Sequence, residues 1–374
     1  NEAARGIAQA KKTGDKIAAD TILSEVATLG SEIDALTEKA DSCLIERDKI
    51  RMRVPNVMHE SVPIGEDDQK NTLHSLHGEK SNFDFDPKTH NDLIELNGWV
   101  DLPRGAKVTG SRFYFLQGDL ARLDMALQNY SANFLIERGY RLVQPPLMMN
   151  RDAYEGVTDL AYFETVMYGI EPDKYYLIAT SEHPLTAMRM DEIIEPSELP
   201  IKMVGVSPCF RREVGAHGLS DRGIWRVHQF TKIEQIIICK PEDSWGHHEE
   251  LLENATSLWD SLGLHYRVVN ICTGDMGTVA AKKYDLEAWL PGAGSYKEVV
   301  SCSNCTDYQA NRLRMRYRTS EGNETVHTLN STAVATSRAL VAIIEQNQNE
   351  DGSVTIPDVL IPFMNGQSKL KSVN

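Results

Sequence analysis

Arg211 and Arg212 close one strand-like run, and the next such run carries Arg226, His228, Phe230, Lys232 and Glu234. Residues two apart on a strand share a face, so these five are expected to point the same way. A cation, an aromatic ring and a carboxylate on one side of a buried strand are costly unless they meet a ligand. A solvated face laced with ion pairs is the alternative. The spacing leaves both open, because the apolar Ile236 continues the same face. The chain has no G-x-x-x-x-G-K-[ST] loop and no G-x-G-x-x-G after a strand. Any phosphate would therefore have to be held by side-chain cations rather than by a glycine-rich cradle.

Two other groupings invite metal readings. Cys302-x-x-Cys305 has zinc-ligand spacing, but no second pair stands near it, and zinc is not expected. His247-His248-Glu249-Glu250 lies on an amphipathic helical stretch where neighbouring residues diverge, so a solvated face is expected there.

The elements that must position these residues read as follows. Leu116 to Arg138 is amphipathic and helical, ending at Gly139, and Pro241 to Leu262, Asp307 to Arg318 and Ser337 to Gln348 are further expected helices. Tyr140 to Val143, Tyr175 to Ile178, Ile201 to Val206, Ile224 to Cys239, Tyr266 to Cys272, Tyr284 to Leu290 and Tyr296 to Val300 read as strands. Strands that follow one another over short turns favour a mostly antiparallel sheet flanked by helices, an α+β fold.

Upstream, Ile22, Val26, Leu29, Ile33, Leu36, Ala40 and Cys43 alternate by four and three, a heptad seam on a long helix. Its partner is not obvious within the chain. Lys11-Lys12-Thr13-Gly14-Asp15-Lys16 reads as a turn between that helix and a short helical end over residues 1–10, which predicts an antiparallel coiled-coil arm of which the first helix is mostly absent. Pro55, Pro63 and a polar stretch then suggest a linker. The expected organisation is an arm over residues 1–53, a linker over 54–81 and a main domain over 82–374.

Composition bounds the function. The chain of 374 residues has a formal charge of −15, which argues against broad nucleic-acid binding by net charge but leaves room for a local basic track. Residues 1–50 hold seven Lys and Arg against ten Asp and Glu, so the arm is not broadly basic. No run of about 18 uncharged apolar residues implies a membrane span. The six scattered cysteines and the absence of a secretory pattern after Asn1 make a cytoplasmic location the expectation.

Phe210-Arg211-x-Glu213, the loop after it, and Arg226-Val227-His228-Gln229-Phe230-x-Lys232-x-Glu234 resemble motif 2 of the class II aminoacyl-tRNA synthetases, in the form seen in the seryl-tRNA synthetase family. Gly139 to Pro145 resembles motif 1, and His327-Thr328-Leu329-Asn330-x-Thr332 with Ser337-Arg338 resembles motif 3. Thr180-Ser181-Glu182 and Glu298-Val299-Val300-Ser301-Cys302-Ser303-Asn304 are similar to the family's serine-site and metal-site segments. The resemblance covers essentially the whole chain, with the five segments in the family's order.

The resemblance implies activation of L-serine with ATP to seryl-adenylate and transfer to serine tRNA, with selenocysteine tRNA an open second acceptor. It assigns the catalytic cations as Arg211 on the α-phosphate and Arg338 on the γ-phosphate. ATP would lie against Arg211, Arg212, Glu213, Arg226, Val227, His228, Gln229, Phe230, Glu298, Val299, Val300, Ser301 and Arg338, with Phe230 stacked on adenine. Glu298 and Ser301 would hold Mg²⁺. Serine would meet Thr180, Ser181, Glu182, Arg211, Glu234, Asn330 and Thr332, with Glu234 on its ammonium. Lys11, Lys12 and Lys16 at the arm's tip would contact tRNA phosphates, and motif 1 would pair two subunits as a homodimer.

Two positions depart from the common family pattern. Val300 stands where a serine is frequent, which puts the metal segment in question, and Thr332 stands where bacterial members carry serine. Both, with Arg226-Val227-His228-Gln229-Phe230 and Asp285-Leu286-Glu287-Ala288-Trp289, resemble the archaeal and eukaryotic cytosolic branch. A relative that loads a carrier protein, or an inactive paralogue, would be expected to lose the arm or one of Arg211, Glu234, Glu298 and Arg338, and all are present.

Overall fold

The computed structural model describes residues 2–213 and 223–374. The small-residue loop expected before Gly223 lies, but for that glycine, outside the described residues. The chain divides into two compact units, Asn1–Val54 and Pro55–Asn374.

The first unit is a helical hairpin. Helix α1 (Glu2–Thr13) ends at Gly14, whose φ of 75° suits a residue without a Cβ. Asp15 then caps α2 (Lys16–Arg51) by accepting a hydrogen bond from Ala18 N at 3.0 Å. The turn is thus narrower than the sequence suggests: Lys11 and Lys12 belong to the last turn of α1, and Lys16 opens α2. Ala10 and Ala19 are buried where the two helices meet. Further along the seam, Val26, Leu29, Ile33 and Leu36 are exposed, Leu36 by 66%.

In the second unit an eight-stranded sheet is built from β1 (Thr72–His77), β2 (Arg141–Val143), β3 (Ile201–Phe210), β4 (Gln229–Cys239), β5 (Tyr266–Asn270), β6 (Lys282–Leu290), β7 (Ser295–Asn304) and β8 (His327–Ala335). Their order is β1-β5-β6-β7-β8-β4-β3-β2. Every adjacent pair is antiparallel except β2 with β3, which is parallel. The α+β architecture is the one the sequence predicts.

Three expected elements are corrected. The stretch taken as a linker belongs to the second unit: β1 pairs with β5, and the chain before it is tied down by polar side chains. Asn56 Nδ2 donates to Cys305 O at 2.7 Å, and Gly65 N donates to Thr273 Oγ1 at 3.1 Å. Polar residues and prolines exclude a helix there, but they do not prevent an edge strand. The expected helix at 307–318 stops at Leu313, because Arg314 turns left-handed at φ 57°, and Arg316–Thr319 is a strand. The strand expected from Ile224 begins only at Gln229.

The sheet's two faces bury different cores. Ile233 and Ile237 of β4 pack with Leu120, Leu123 and Leu127 of α3 (Gly118–Ile136), Leu258 and Trp259 of α6 (Ser244–Ser261), and Leu340 and Ile344 of α8 (Thr336–Gln346). Ile236 and Ile238 face the other way, onto Tyr154 and Val157 of α4 (Arg151–Val157), Leu185 of α5 (Glu182–Ala187) and Leu313 of α7 (Tyr308–Leu313). Trp259 is fully buried and donates its indole N–H to Ala333 O at 3.0 Å. Trp259→Ala is therefore expected to cost about 3–5 kcal/mol, read as a lower midpoint in chemical denaturation.

Candidate functional site

A cleft of about 360 Å³ opens over the middle of the sheet, floored by β4, β7 and β8. Phe230 and Lys232 reach it from β4, Glu298 and Ser301 from β7, and Asn330 and Thr332 from β8. Arg211 enters just beyond β3, and Arg338 from the first turn of α8. Thr180 and Glu182 come from the turn that starts α5, which approaches β3 closely because Gly205 has no side chain. A Cβ there would stand 2.7 Å from Leu185 Cδ1 and Ser181 Oγ.

One end of the cleft is cationic. Arg211 Nε donates to Ala179 O at 3.1 Å, which aims the guanidinium, and its carbon lies 5.4 Å from the Phe230 ring centroid. Arg338 Nη1 donates to Glu298 O at 2.8 Å and lies 3.4 Å from Glu298 Oε1, with its guanidinium carbon 5.4 Å from the Trp225 ring centroid. Desolvation at the cleft wall would raise the Glu298 carboxyl, although its side chain is 48% exposed, but Arg338 above all, then Lys283, Arg211 and Lys232, hold it below the usual glutamate range.

Glu298 and Ser301 are three apart and would lie on opposite faces of a regular strand. The ladder between β6 and β7 supplies the correction: Leu286 pairs with Val300 and Glu287 with Glu298, leaving Val299 as a bulge. The extra residue returns Glu298 and Ser301 to one side. Val300 points into the core, so the departure noted at that position does not face the cleft. Across the ladder, Asp285 is paired with Ser301 and lies 3.7 Å from Lys283. Burial pushes the Asp285 carboxyl up to about 7, against the pull of Lys283.

The other end is a small polar pocket. Glu234 is wholly buried, and its Oε2 lies 2.5 Å from Lys232 Nζ. Burial pushes this carboxyl up to about 7, with Lys232 opposing. Lys232 Nζ also donates to Thr180 Oγ1 at 3.3 Å. The Glu182 carboxyl is raised by burial as well, offset first by Lys232. A second bulge, at Ala333, sets Glu234 directly opposite Thr332. Cys305 lines the pocket wall and accepts from Asn330 Nδ2 at 3.5 Å, its thiol pushed well up by burial.

Of the residues nominated from sequence, Thr180, Glu182, Arg211, Glu213, Val227, Phe230, Glu298, Val299, Ser301, Asn330, Thr332 and Arg338 line this one cleft. Glu234 sits just behind its wall. Arg212 is exposed outside it, and Ser181 packs behind it against Gly205. Arg226 and His228 are not on the strand and do not share its inward face. They lie in the turn before it, which is fixed by Arg211 N donating to His228 O at 3.0 Å. Arg226 instead pairs with Glu213 at 3.2 Å, and His228 bonds Tyr168. Gln229 is exposed at the start of β4.

Sequence reasoning passed over Lys283, Asp285, Trp225, Gln309 and the 276–280 loop. Lys283 and Asp285 carried a signal, an opposite-charge pair two apart at the start of a strand-like run. His248, expected on a solvated face, is buried with Nε2 3.1 Å from Cys302 O, and burial pushes it down to about 4. Cys302 is buried too. Among the described residues no group of three or more His, Cys, Asp or Glu is arranged to hold a metal ion.

Residues 166–347 match the family described as the tRNA synthetase class II core domain (G, H, P, S and T). The chain is 54% identical over 373 residues to the serine–tRNA ligase of Methanocella arvoryzae, across 98% of this chain and 86% of that protein. Seryl-tRNA synthetase from Pyrococcus horikoshii, solved complexed with ATP, is similar with a TM-score of 0.87 and 43% identity, over 100% of this chain and 88% of that one. Cytoplasmic serine–tRNA ligase from Naegleria fowleri, solved in complex with AMP, is similar with a TM-score of 0.86 and 38% identity, over 100% of this chain and 89% of that one. Likeness of this extent, over nearly the whole chain, means that the chain belongs to the serine–tRNA ligase family of class II aminoacyl-tRNA synthetases.

Proposed function

We propose that the cleft activates L-serine with ATP and passes the seryl group to the 3′ end of serine tRNA, with the roles set out below. The observation that carries the reading is one cleft that gathers the cations Arg211 and Arg338 with a polar pocket of Thr180, Glu182, Asn330 and Thr332. A serine carboxylate oxygen attacks the α-phosphorus, the bond to the bridging oxygen breaks, and pyrophosphate leaves with that electron pair. Charge builds on the equatorial oxygens, where the Arg211 guanidinium offers fixed stabilisation without reorganisation. No general base is needed, since the nucleophile is already a carboxylate. Phe230 gives adenine one face, Arg338 covers the other, and Glu213 stands at that end.

Glu298 and Ser301 fit a Mg²⁺ ion, a hard cation that takes one or two carboxylates together with phosphate oxygens. When bound it would supply Lewis-acid neutralisation of the phosphates. At the far end Glu234 receives the α-ammonium, and Thr180, Glu182, Asn330 and Thr332 surround the hydroxymethyl group. Such a pocket rejects alanine by leaving its own polar groups unpaired, and threonine by sterics.

Lys11, Lys12 and Lys16, all exposed, would give the hairpin a cationic tip for tRNA phosphates. The exposed apolar residues Leu142 on β2, Met148 shortly after it and Met125 on α3 support pairing of two copies through the motif 1 region. No helix among the described residues is long and apolar enough to cross a membrane, and all six cysteines are free, which suits a reducing cytoplasm. Serine-dependent ATP–pyrophosphate exchange, followed by charging of tRNA, tests the activity. A folded sample with no exchange in the presence of serine would reject it.

A further inference from the structure

We infer that Gln309 is a positioning residue that dictates which carboxylate oxygen of Glu182 meets the amino-acid substrate, and that it thereby sets serine selectivity; this rests on the activity proposed above. Gln309 is fully buried on α7 and touches no part of the cleft surface itself. Its Nε2 donates to Val157 O at 3.0 Å and to Glu182 Oε1 at 3.0 Å, while its Oε1 accepts from Thr328 Oγ1 at 2.7 Å. Both amide hydrogens are therefore committed.

The direction of this amide is not a free choice. Val157 O, at the last residue of α4, can only accept, whereas the Thr328 hydroxyl can donate or accept. The nitrogen must face α4, and its second hydrogen then falls on Glu182 Oε1. That oxygen has to act as an acceptor, so a proton carried by Glu182 sits on Oε2, and Oε2 keeps both lone pairs for the substrate while Oε1 has one already used. One buried side chain thus joins the end of α4, the start of α5 and β8 at the wall of the amino-acid pocket.

Selectivity follows from this constraint. A site built to hydrogen-bond a substrate hydroxyl rejects the analogue lacking it only while its own polar group is held unpaired. A Glu182 free to turn would find other partners, among them the nearby Lys232, and the penalty against alanine would shrink.

The experiment is ATP–pyrophosphate exchange by the full chain, its Gln309→Met and Glu182→Gln variants and the double variant, with serine, alanine and threonine as substrates. Gln309→Met is expected to raise KM for serine about tenfold or more and to lower the serine-over-alanine preference by a similar factor. KM for ATP should stay within about twofold of the parent, and adding Gln309→Met to Glu182→Gln should change KM for serine by less than about twofold. Additive effects in that cycle, or equal losses in both KM values, would overturn the role.

Should Gln309→Met fail to fold by its thermal melt, the isosteric Gln309→Glu replaces it. There two facing carboxyls share a proton at neutral pH and lose it as pH rises, so KM for serine should climb with pH in this variant alone. A profile parallel to the parent's would overturn the role as well. A parent chain without serine-dependent exchange rejects the activity itself, which is a separate result from an active parent whose variants are indifferent.

Discussion

Arg211→Ala is expected to lower the turnover of serine-dependent ATP–pyrophosphate exchange by about 10²–10³-fold, with the thermal melt close to that of the parent. The size comes from where the charge is. Adenylation creates negative charge on the α-phosphate oxygens in a cleft partly closed to water, and a guanidinium already aimed there stabilises the transition state more than the bound substrates. The aim is visible in the donation from Arg211 Nε to Ala179 O. Stability should change little because Arg211 lines the cleft and belongs to neither hydrophobic core, so its removal opens the cleft to water rather than leaving a buried cavity. Arg211→Lys is expected to recover only part of the rate, because an ammonium cannot both hold Ala179 O and present a planar fork to phosphate. An Arg211→Ala chain with the parent's turnover would remove this residue from the chemistry.

Glu234→Gln is the second large effect, and it should fall on serine alone. A carboxylate that is wholly buried and pairs with an ammonium loses about 3–5 kcal/mol of interaction when its charge is removed, or roughly 10²–10⁴ in kcat/KM for serine. KM for ATP should change little. The pH dependence has a definite sign. In the ligand-free site burial lifts the Glu234 carboxyl from 4.5 to about 7, so near neutrality it is only partly ionised. Serine's ammonium needs the ionised form, so KM for serine should rise as pH falls below about 7, towards tenfold per unit, and Glu234→Gln should flatten that slope.

The same shift acts on stability with a fixed direction. A folded-state value above the unfolded one favours folding fully below about 4.5, and that contribution is lost as pH rises through about 7. Added serine should then raise the melting temperature more at pH 8 than at pH 6. Equal shifts at both pH values would count against Glu234 as the ammonium's partner.

Much of the cleft was legible before folding because its parts are local. Phe230, Lys232 and Glu234 lie two apart on one strand, and a strand's alternation is a property of the backbone. Thr180 and Glu182 sit on one turn, and Arg338 on the first turn of a helix that follows a strand directly. The reading failed where alternation was extended past its physical limits. Arg226 and His228 kept the period but preceded the strand, whose start depends on a hydrogen bond from Arg211 N to His228 O across the hairpin. Residues 54–81 looked like a linker because their polar groups had no visible partners. The partners are Thr273, Cys305 and β5, 189 or more positions away in the chain.

Residue order alone carries the inventory of this protein: which cations, carboxylates and aromatic ring are available, which strands carry them, and an α+β order of elements. Local propensity and side-chain period suffice for that. Only the tertiary structure decided which of those residues share one volume. The bulge at Val299 turns Glu298 and Ser301 to the same side, and Gly205 admits the Thr180 turn against β3. Gln309 aligns Glu182 through partners 127 and 152 residues distant. Such placements depend on register and on contacts between elements, for which no stretch of neighbouring residues carries a signature.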